Sequence, residues 1–337
     1  MQNRKGGIFM RNKMAAVLTG ILVLGLCVSG CGSKPAASEA PAEEPAAAEP
    51  VPEPAPEETQ KPAEAETAGT AEEADTRILV VSFGTSYNDS RDITIGAVEE
   101  SIAEAFPQYD MKRAFTAQII IDKLKERDQL EIDNVTQALD RAVADGVKTL
   151  IVQPTHLMNG LEYADLADEL EDYESDFDEV VLGEPLLTSD ADYEAVIKAI
   201  TEDTKSYDDG ETAIVFMGHG TEAESNQVYA NMQEKLAAAG YENYYIGTVE
   251  AEPTLDDVCA ALKAAGKYKK VVLQPLMVVA GDHANNDMAG DEADSWKTVL
   301  EAEGYEVECR LKGLGELPGI CDLYVEHARD AAAKLSR

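Results

Sequence analysis

Ala213-Ile-Val-Phe-Met-Gly-His-Gly220 runs from five apolar residues straight into a histidine held between two glycines. A continuous apolar run of this kind reads as a strand buried on both faces, as in parallel sheets covered by helices. Glycine on either side lets a ligand approach the backbone. The histidine falls at the strand's carboxyl end, where open α/β sheets bind their ligands. Two more candidate ligands fall at similar points, Glu250 after Tyr245-Ile-Gly-Thr-Val249 and His283 after Val271-Val-Leu-Gln-Pro-Leu-Met-Val-Val-Ala-Gly-Asp282. Three strand ends carrying His219, Glu250 and His283 predict a site for a borderline divalent metal such as Co²⁺, Fe²⁺, Ni²⁺ or Zn²⁺.

Outward from that strand, apolar runs alternate with amphipathic ones. Arg77 to Phe83 and Lys148 to Gln153 read as strands, and Asp92 to Phe106, Gln118 to Arg127 and Asn134 to Asp145 as helices. The second half repeats the first in the same order. Val81-Ser-Phe-Gly-Thr-Ser86 pairs with Val215-Phe-Met-Gly-His-Gly220, and Leu150-Ile-Val-Gln-Pro154 with Val271-Val-Leu-Gln-Pro275. Gly183-Glu-Pro-Leu-Leu187, followed by Tyr193, pairs with Gly315-Glu-Leu-Pro318, followed by Tyr324. The expected fold is α/β: two similar Rossmann-like, flavodoxin-like lobes (76–205 and 206–337) with parallel sheets, related by a pseudo-two-fold, with the active-site cleft between them. Aligning Gly84 with Gly218 sets Thr85 opposite His219, and aligning Gln153 with Gln274 sets Glu162 opposite His283. The metal-type chemistry therefore belongs to the second lobe.

The amino terminus points to export. Residues 1–13 carry Arg4, Lys5, Arg11 and Lys13 and no acid, Met14 to Leu26 is almost wholly apolar, and Val28-Ser-Gly-Cys31 follows. Small residues before a cysteine in this setting look like a bacterial lipoprotein signal, cleaved before Cys31 with lipidation there; an ordinary signal peptide or a single membrane anchor are the other readings. Residues 31–75, rich in Ala, Pro and Glu, are expected to be a disordered tether. The chain carries −37. The signal contributes +4 and the tether −10, which leaves −31 on the globular part and argues against a nucleic-acid partner. Cys259, Cys309 and Cys321 form no C-x-x-C, so neither a zinc ribbon nor a disulfide framework is indicated.

Several strings in fixed order carry a family resemblance. Val80-Val-Ser-Phe-Gly-Thr-Ser-Tyr87, Arg113-Ala-Phe-Thr116, His156-Leu-Met-Asn-Gly-Leu-Glu-Tyr163, Phe216-Met-Gly-His-Gly220, Val249-Glu250, Ala280-Gly-Asp-His283 and Asp294-Ser-Trp-Lys297 closely resemble the anaerobic sirohydrochlorin cobaltochelatases, class II chelatases related to the protoporphyrin ferrochelatases. The resemblance runs from about Ile78 to the carboxyl terminus. It implies ATP-independent insertion of Co²⁺, as substrate, into a tetrapyrrole on the route to cobalamin, with Fe²⁺ or Ni²⁺ as alternative metals and no organic cofactor. It maps the metal site onto His219, Glu250 and His283. Removing two pyrrole protons needs a base near neutral pH, which suits His219, with Glu250 carrying protons away. Arg113 is expected to pair with a substrate carboxylate, and Thr85, Ser86 and Glu162 to line the substrate site.

Other residues stay open at this stage. His156 either orients Glu162 or packs, Tyr87 and Trp296 are either core or ring-stacking, and His327 is expected at the surface. A homo-oligomer is open. Export fits poorly with a cytoplasmic biosynthetic step, so a tetrapyrrole- or metal-binding lipoprotein serving uptake, or a general solute-binding lipoprotein, stands beside the enzyme reading.

Overall fold

The structure is a computed structural model that describes residues 75–335. The expectations for the signal segment, Cys31 and the tether fall on residues outside that range. Among the described residues, no helix is long and apolar enough to cross a membrane.

The two predicted lobes are two four-stranded parallel sheets. In the first, β1 (Thr76–Ser82), β2 (Asp110–Phe115), β3 (Thr149–Pro154) and β4 (Glu179–Leu182) lie in the order β2-β1-β3-β4. In the second, β5 (Thr212–Gly218), β6 (Tyr244–Thr248), β7 (Lys270–Pro275) and β8 (Glu306–Cys309) lie in the order β6-β5-β7-β8. Both central strands are buried along their whole length, which is why they read as unbroken apolar runs. Parallel neighbours require crossovers, and the first lobe supplies them as α1 (Asn88–Ile93), α2 (Ile95–Ala105), α3 (Gln118–Asp128), α4 (Val135–Ala144) and α5 (Leu161–Tyr173). Helix α6 (Asp190–Thr204) leads into the second lobe, which adds α7 (Gln227–Ala238), α8 (Leu255–Ala265), α9 (Trp296–Ala302) and α10 (Pro318–Ala333).

One apolar cluster joins the lobes. It takes Ile78 and Val80 from β1, Ile214 and Phe216 from β5, and Ile320, Tyr324 and Ala328 from α10. The last helix packs against α2, α6 and β3 of the first lobe, so the end of the chain straps the halves together. Separate clusters fill the outer faces of each sheet, and Trp296 belongs to the one under β5 and β7.

The structure corrects three local expectations. The helix expected from Asp92 to Phe106 is two helices broken at Thr94, whose side chain bonds back to the Ser90 carbonyl. The break is where the second lobe presses, since Thr94 is buried against Gly313 and Gly315. The repeat is also offset. Strand pairing sets Val81 beside Pro154 and Met217 beside Pro275, which equates Ser82 with Gly218, Phe83 with His219 and Gly84 with Gly220. Gly84 and Gly220 share left-handed backbones, with φ of 99° and 87°. Thr85 is thus two residues away from the position opposite His219. Finally, Gly183 does not match Gly315. Its N–H bonds to Val152 as that of Arg310 bonds to Leu273. In the second lobe the guanidinium of Arg310 fills this corner and donates to Gln274 at 2.6 Å.

Candidate metal centre

His219 follows β5 directly, and its two glycine neighbours are needed for different reasons. A Cβ on Gly218 would stand 2.2 Å from the ring of Tyr229. Gly220 needs its positive φ, and a Cβ there would meet the Ala251 nitrogen at 2.8 Å. Tyr229, fully buried on α7, accepts the Gly220 N–H at 3.3 Å and fixes the turn from below. The turn after β6 is then laid across it. Val249 donates to the Gly218 carbonyl at 3.1 Å and Glu250 to the His219 carbonyl at 2.9 Å. The Thr248 hydroxyl closes that turn on Ala251 at 2.6 Å. This backbone lacing is what carries Glu250 to His219.

His283 arrives from the loop after β7, just before a five-residue π-helical turn, Ala284–Met288. The wider turn places Asp287 back against the imidazole, with Nδ1 of His283 2.7 Å from Oδ2. Nδ1 of His219 lies 2.8 Å from the Gly220 carbonyl oxygen. Carbonyl and carboxylate oxygens accept, so each Nδ1 carries its hydrogen, and in the neutral imidazole each Nε2 then offers the free lone pair. One ligand atom each from His219, Glu250 and His283 lie within 4.8 Å of one another. The two rings meet edge to face with centroids 4.7 Å apart. Metal–nitrogen and metal–oxygen bonds of about 2.1 Å put neighbouring tetrahedral ligands roughly 3.4 Å apart, so closure on an ion needs only small side-chain rotations. Those side chains are 47%, 56% and 31% exposed, which leaves them room to rotate and leaves one side of the site open.

The remaining candidates fall in different places. Ser86 lines an interlobe cavity of about 630 Å³. Thr85 is buried against Gly281, and its hydroxyl accepts the Tyr87 N–H at 3.2 Å. Glu162 is exposed in the first turn of α5 and belongs neither to the ligand triad nor to the cavity wall. Arg113 needs a correction: one edge of its guanidinium, Nε and Nη2, is taken by Glu99 on α2, with Nε to Oε1 at 2.7 Å, so the carboxylate it pairs with is the protein's own. His327 is also corrected. It is buried on α10, with Nδ1 3.1 Å from the Glu184 carbonyl and Nε2 3.2 Å from Asp192. His156 has both ring nitrogens sealed from solvent and unpartnered, and burial lowers its pKa to about 4. Of the two open aromatics, Trp296 is core and Tyr87 bridges the lobes, its hydroxyl donating to Asp282 at 3.2 Å.

Sequence reasoning missed Asp287 and Tyr229. Asp287 had a signal, since a carboxylate four residues after a histidine on a helical segment shares its face. Tyr229 had none, because its role depends on a turn 9 residues earlier in the chain.

A family model described as "Cobalt chelatase (CbiK)" matches residues 76–333. The sirohydrochlorin cobaltochelatase of Salmonella typhimurium is 39% identical over 254 residues, covering 75% of this chain and 95% of that protein. Sirohydrochlorin cobaltochelatase CbiKC of Nitratidesulfovibrio vulgaris is 33% identical over 263 residues, covering 77% and 91%. The structure of SirB from Bacillus subtilis with Fe³⁺ shares the fold at 14% identity, with a TM-score of 0.54 over 77% of this chain and 96% of that one. The match spans both lobes and the strand ends that carry the triad, and the chain belongs to the cobalt chelatase family.

Proposed function

We propose that this chain inserts Co²⁺ into sirohydrochlorin, with the metal and the macrocycle both as substrates. The observation that carries the reading is the triad: two imidazoles with their Nδ1 hydrogens already engaged and one carboxylate, gathered at three strand ends with an open side. Such a set holds a divalent ion without completing its coordination sphere, so macrocycle nitrogens can replace the protein's donors one at a time. The net reaction exchanges one divalent ion for two pyrrole protons. His219 holds the ion and accepts a proton once its nitrogen is released. Glu250, 3.9 Å from the His219 ring and more than half exposed, passes protons to water. His283 completes the cradle. The reaction needs no change of oxidation state and no ATP.

The test is a spectroscopic metallation assay on the full-length chain, with sirohydrochlorin and Co²⁺, Fe²⁺ or Ni²⁺ in turn. Chelatase activity requires rates well above the spontaneous reaction, fastest for Co²⁺. Tight binding of the tetrapyrrole without acceleration supports a carrier instead.

The same chain carries the lipoprotein-type segment Val28-Ser-Gly-Cys31, which supports an exported, lipid-anchored enzyme facing away from the cytoplasm. Under this reading Cys31→Ala abolishes metabolic lipid labelling and leaves the protein as precursor or shed from membranes. Unchanged labelling and membrane retention would sink it.

A further inference from the structure

The stretch of chain that leads into His283 belongs to the second lobe but rests on the first. Val279 packs on the first-lobe cluster built around Ile95, Phe115 and Ile121. Ala280 is buried and donates its N–H to the Ser90 hydroxyl on α1 at 3.0 Å. Gly281 lies so close to Thr85 that a Cβ there would stand 3.2 Å from its hydroxyl oxygen. Asp282 accepts from the Tyr87 hydroxyl at 3.2 Å. These four residues immediately precede the metal ligand.

Past His283 the chain returns to its own lobe. Ala284 and Met288 are buried in the cluster under β5 and β7. The Asn285 amide ties this turn back to the carbonyls of Ala280 and Gly281, at 3.1 and 2.7 Å. His283 therefore sits where a stretch held by one lobe meets a turn held by the other. His219 and Glu250 are placed differently, by bonds that run within the second lobe through Gly218, Gly220 and Tyr229. The helix break at Thr94 also acquires a role. It sets α1 apart as a short helix whose Ser90 carbonyl accepts the Thr94 N–H at 3.0 Å, while the Ser90 hydroxyl is given to the opposite lobe.

We infer that Ser90 is a positioning residue for His283, with Tyr87 as its second support, so that the first lobe sets the third donor of a metal site whose ligands all belong to the second. The inference rests on the reading of His219, Glu250 and His283 as the metal cradle. Ser90 acts through the main chain of Ala280 and takes no part in ligation. A buried N–H must have an acceptor, so without the hydroxyl the stretch from Val279 to Asp282 shifts towards another partner and carries His283 with it. Metal–ligand distances tolerate only about 0.2 Å, so a small shift of this loop is read out as lost affinity. The donor set is complete only while the two lobes are seated on one another.

The experiment measures Co²⁺ affinity by chelator competition, and folding stability by urea denaturation, for the full-length wild type, Ser90→Ala, Ser90→Thr, Tyr87→Phe and His327→Leu. The last is a control that loosens the strap between α6 and α10 without touching the His283 loop. Under native conditions Ser90→Ala should bind Co²⁺ about tenfold more weakly, the lower end of what orienting partners contribute. Ser90→Thr keeps the hydroxyl and should restore most of the loss, Tyr87→Phe should lose less than Ser90→Ala, and His327→Leu should lose stability but bind as wild type does. A Ser90→Ala variant with wild-type affinity overturns the inference and leaves the metal cradle standing. So does a loss that Ser90→Thr fails to restore, or one that His327→Leu reproduces, since either makes the contact merely structural. A wild-type chain that does not bind Co²⁺ overturns the cradle itself.

Discussion

The rings of His219 and His283, 64 positions apart in the chain, meet edge to face at 86° with their centroids 4.7 Å apart. Each is oriented by a contact that needs nothing from the other: His219 by the carbonyl of its own turn, His283 by Asp287. The protein thus sets up its donors before an ion arrives, and an ion entering between them meets two imidazole rings and one carboxylate. Preorganisation of this kind lowers what ion capture costs in ordering side chains.

His219→Ala should abolish metal insertion with little effect on stability. The imidazole is about half exposed and contributes little packing, while the neighbouring glycines and Tyr229 hold the turn. A positioned base alone is worth about 10²–10⁴-fold in rate, and this residue is also a ligand. Steady-state metallation and a thermal melt on the same preparation check both halves. Turnover near that of wild type would remove His219 from the mechanism.

Asp287→Ala should keep the triad yet weaken it. Without the carboxylate, His283 is free to rotate and to switch tautomer, and losses of about 10–100-fold in metal affinity are usual for such orienting partners. Asp287→Asn retains an acceptor and should recover part of the loss. Chelator competition with Co²⁺ reads the affinity directly. An Asp287→Ala variant that binds as tightly as wild type would mean that the 2.7 Å contact only packs the π-helical turn.

The inner strands β1, β3, β5 and β7 were legible because strands buried on both faces are nearly all apolar, whereas the edge strands β2, β4 and β8 keep partly exposed, polar positions and were not read. What also failed was register. A repeat aligned on Gly84 and Gly218 looks sound in letters, but the glycine that both lobes require is the one with positive φ, Gly84 and Gly220, and conformation is not written in the alphabet. Arg113 was misread because an arginine near a cleft looks the same whether its carboxylate is a substrate's or Glu99's. His327 was misread because Glu326, Arg329 and Asp330 surround it in sequence. Yet Ile320, Tyr324, His327, Ala328 and Ala331 form one buried helical stripe, and that spacing was there to be read.

His327 and Asp192 form a pair at the strap between α10 and α6, with side chains 8% and 9% exposed. Burial alone pushes the Asp192 carboxyl up. Donors from Ser189 and the His327 ring outweigh it and hold the group below the usual carboxylate range. His327→Leu leaves that carboxylate buried without the imidazole and should cost about 3 kcal/mol. The double variant His327→Leu/Asp192→Asn should lose less than the sum of its parts, since neither partner is stranded. Urea denaturation of all four proteins measures the coupling, and strict additivity would show that the two groups do not support one another.

His156 predicts an acid-sensitive limb of the stability curve. Its folded pKa is depressed by burial to about 4, and both ring nitrogens lack partners. An unfolded histidine takes up its proton near pH 6.5. Between those values the unfolded chain binds a proton that the folded chain refuses, so stability falls as pH drops from about 6.5 towards 4 and levels off below, where the folded form also protonates. The span corresponds to about 3 kcal/mol. His156→Phe removes the titrating group and two unpaired buried nitrogens together. It should match or exceed wild-type stability at pH 7, because no hydrogen bond is lost, and its advantage should grow by about 3 kcal/mol on going to pH 4. Denaturation midpoints of the two proteins between pH 4 and pH 7 give this difference directly, and the limbs common to both cancel. A constant gap across the range would mean that His156 gains a partner or solvent when it protonates, and that the loop after β3 opens at a lower cost than its burial implies.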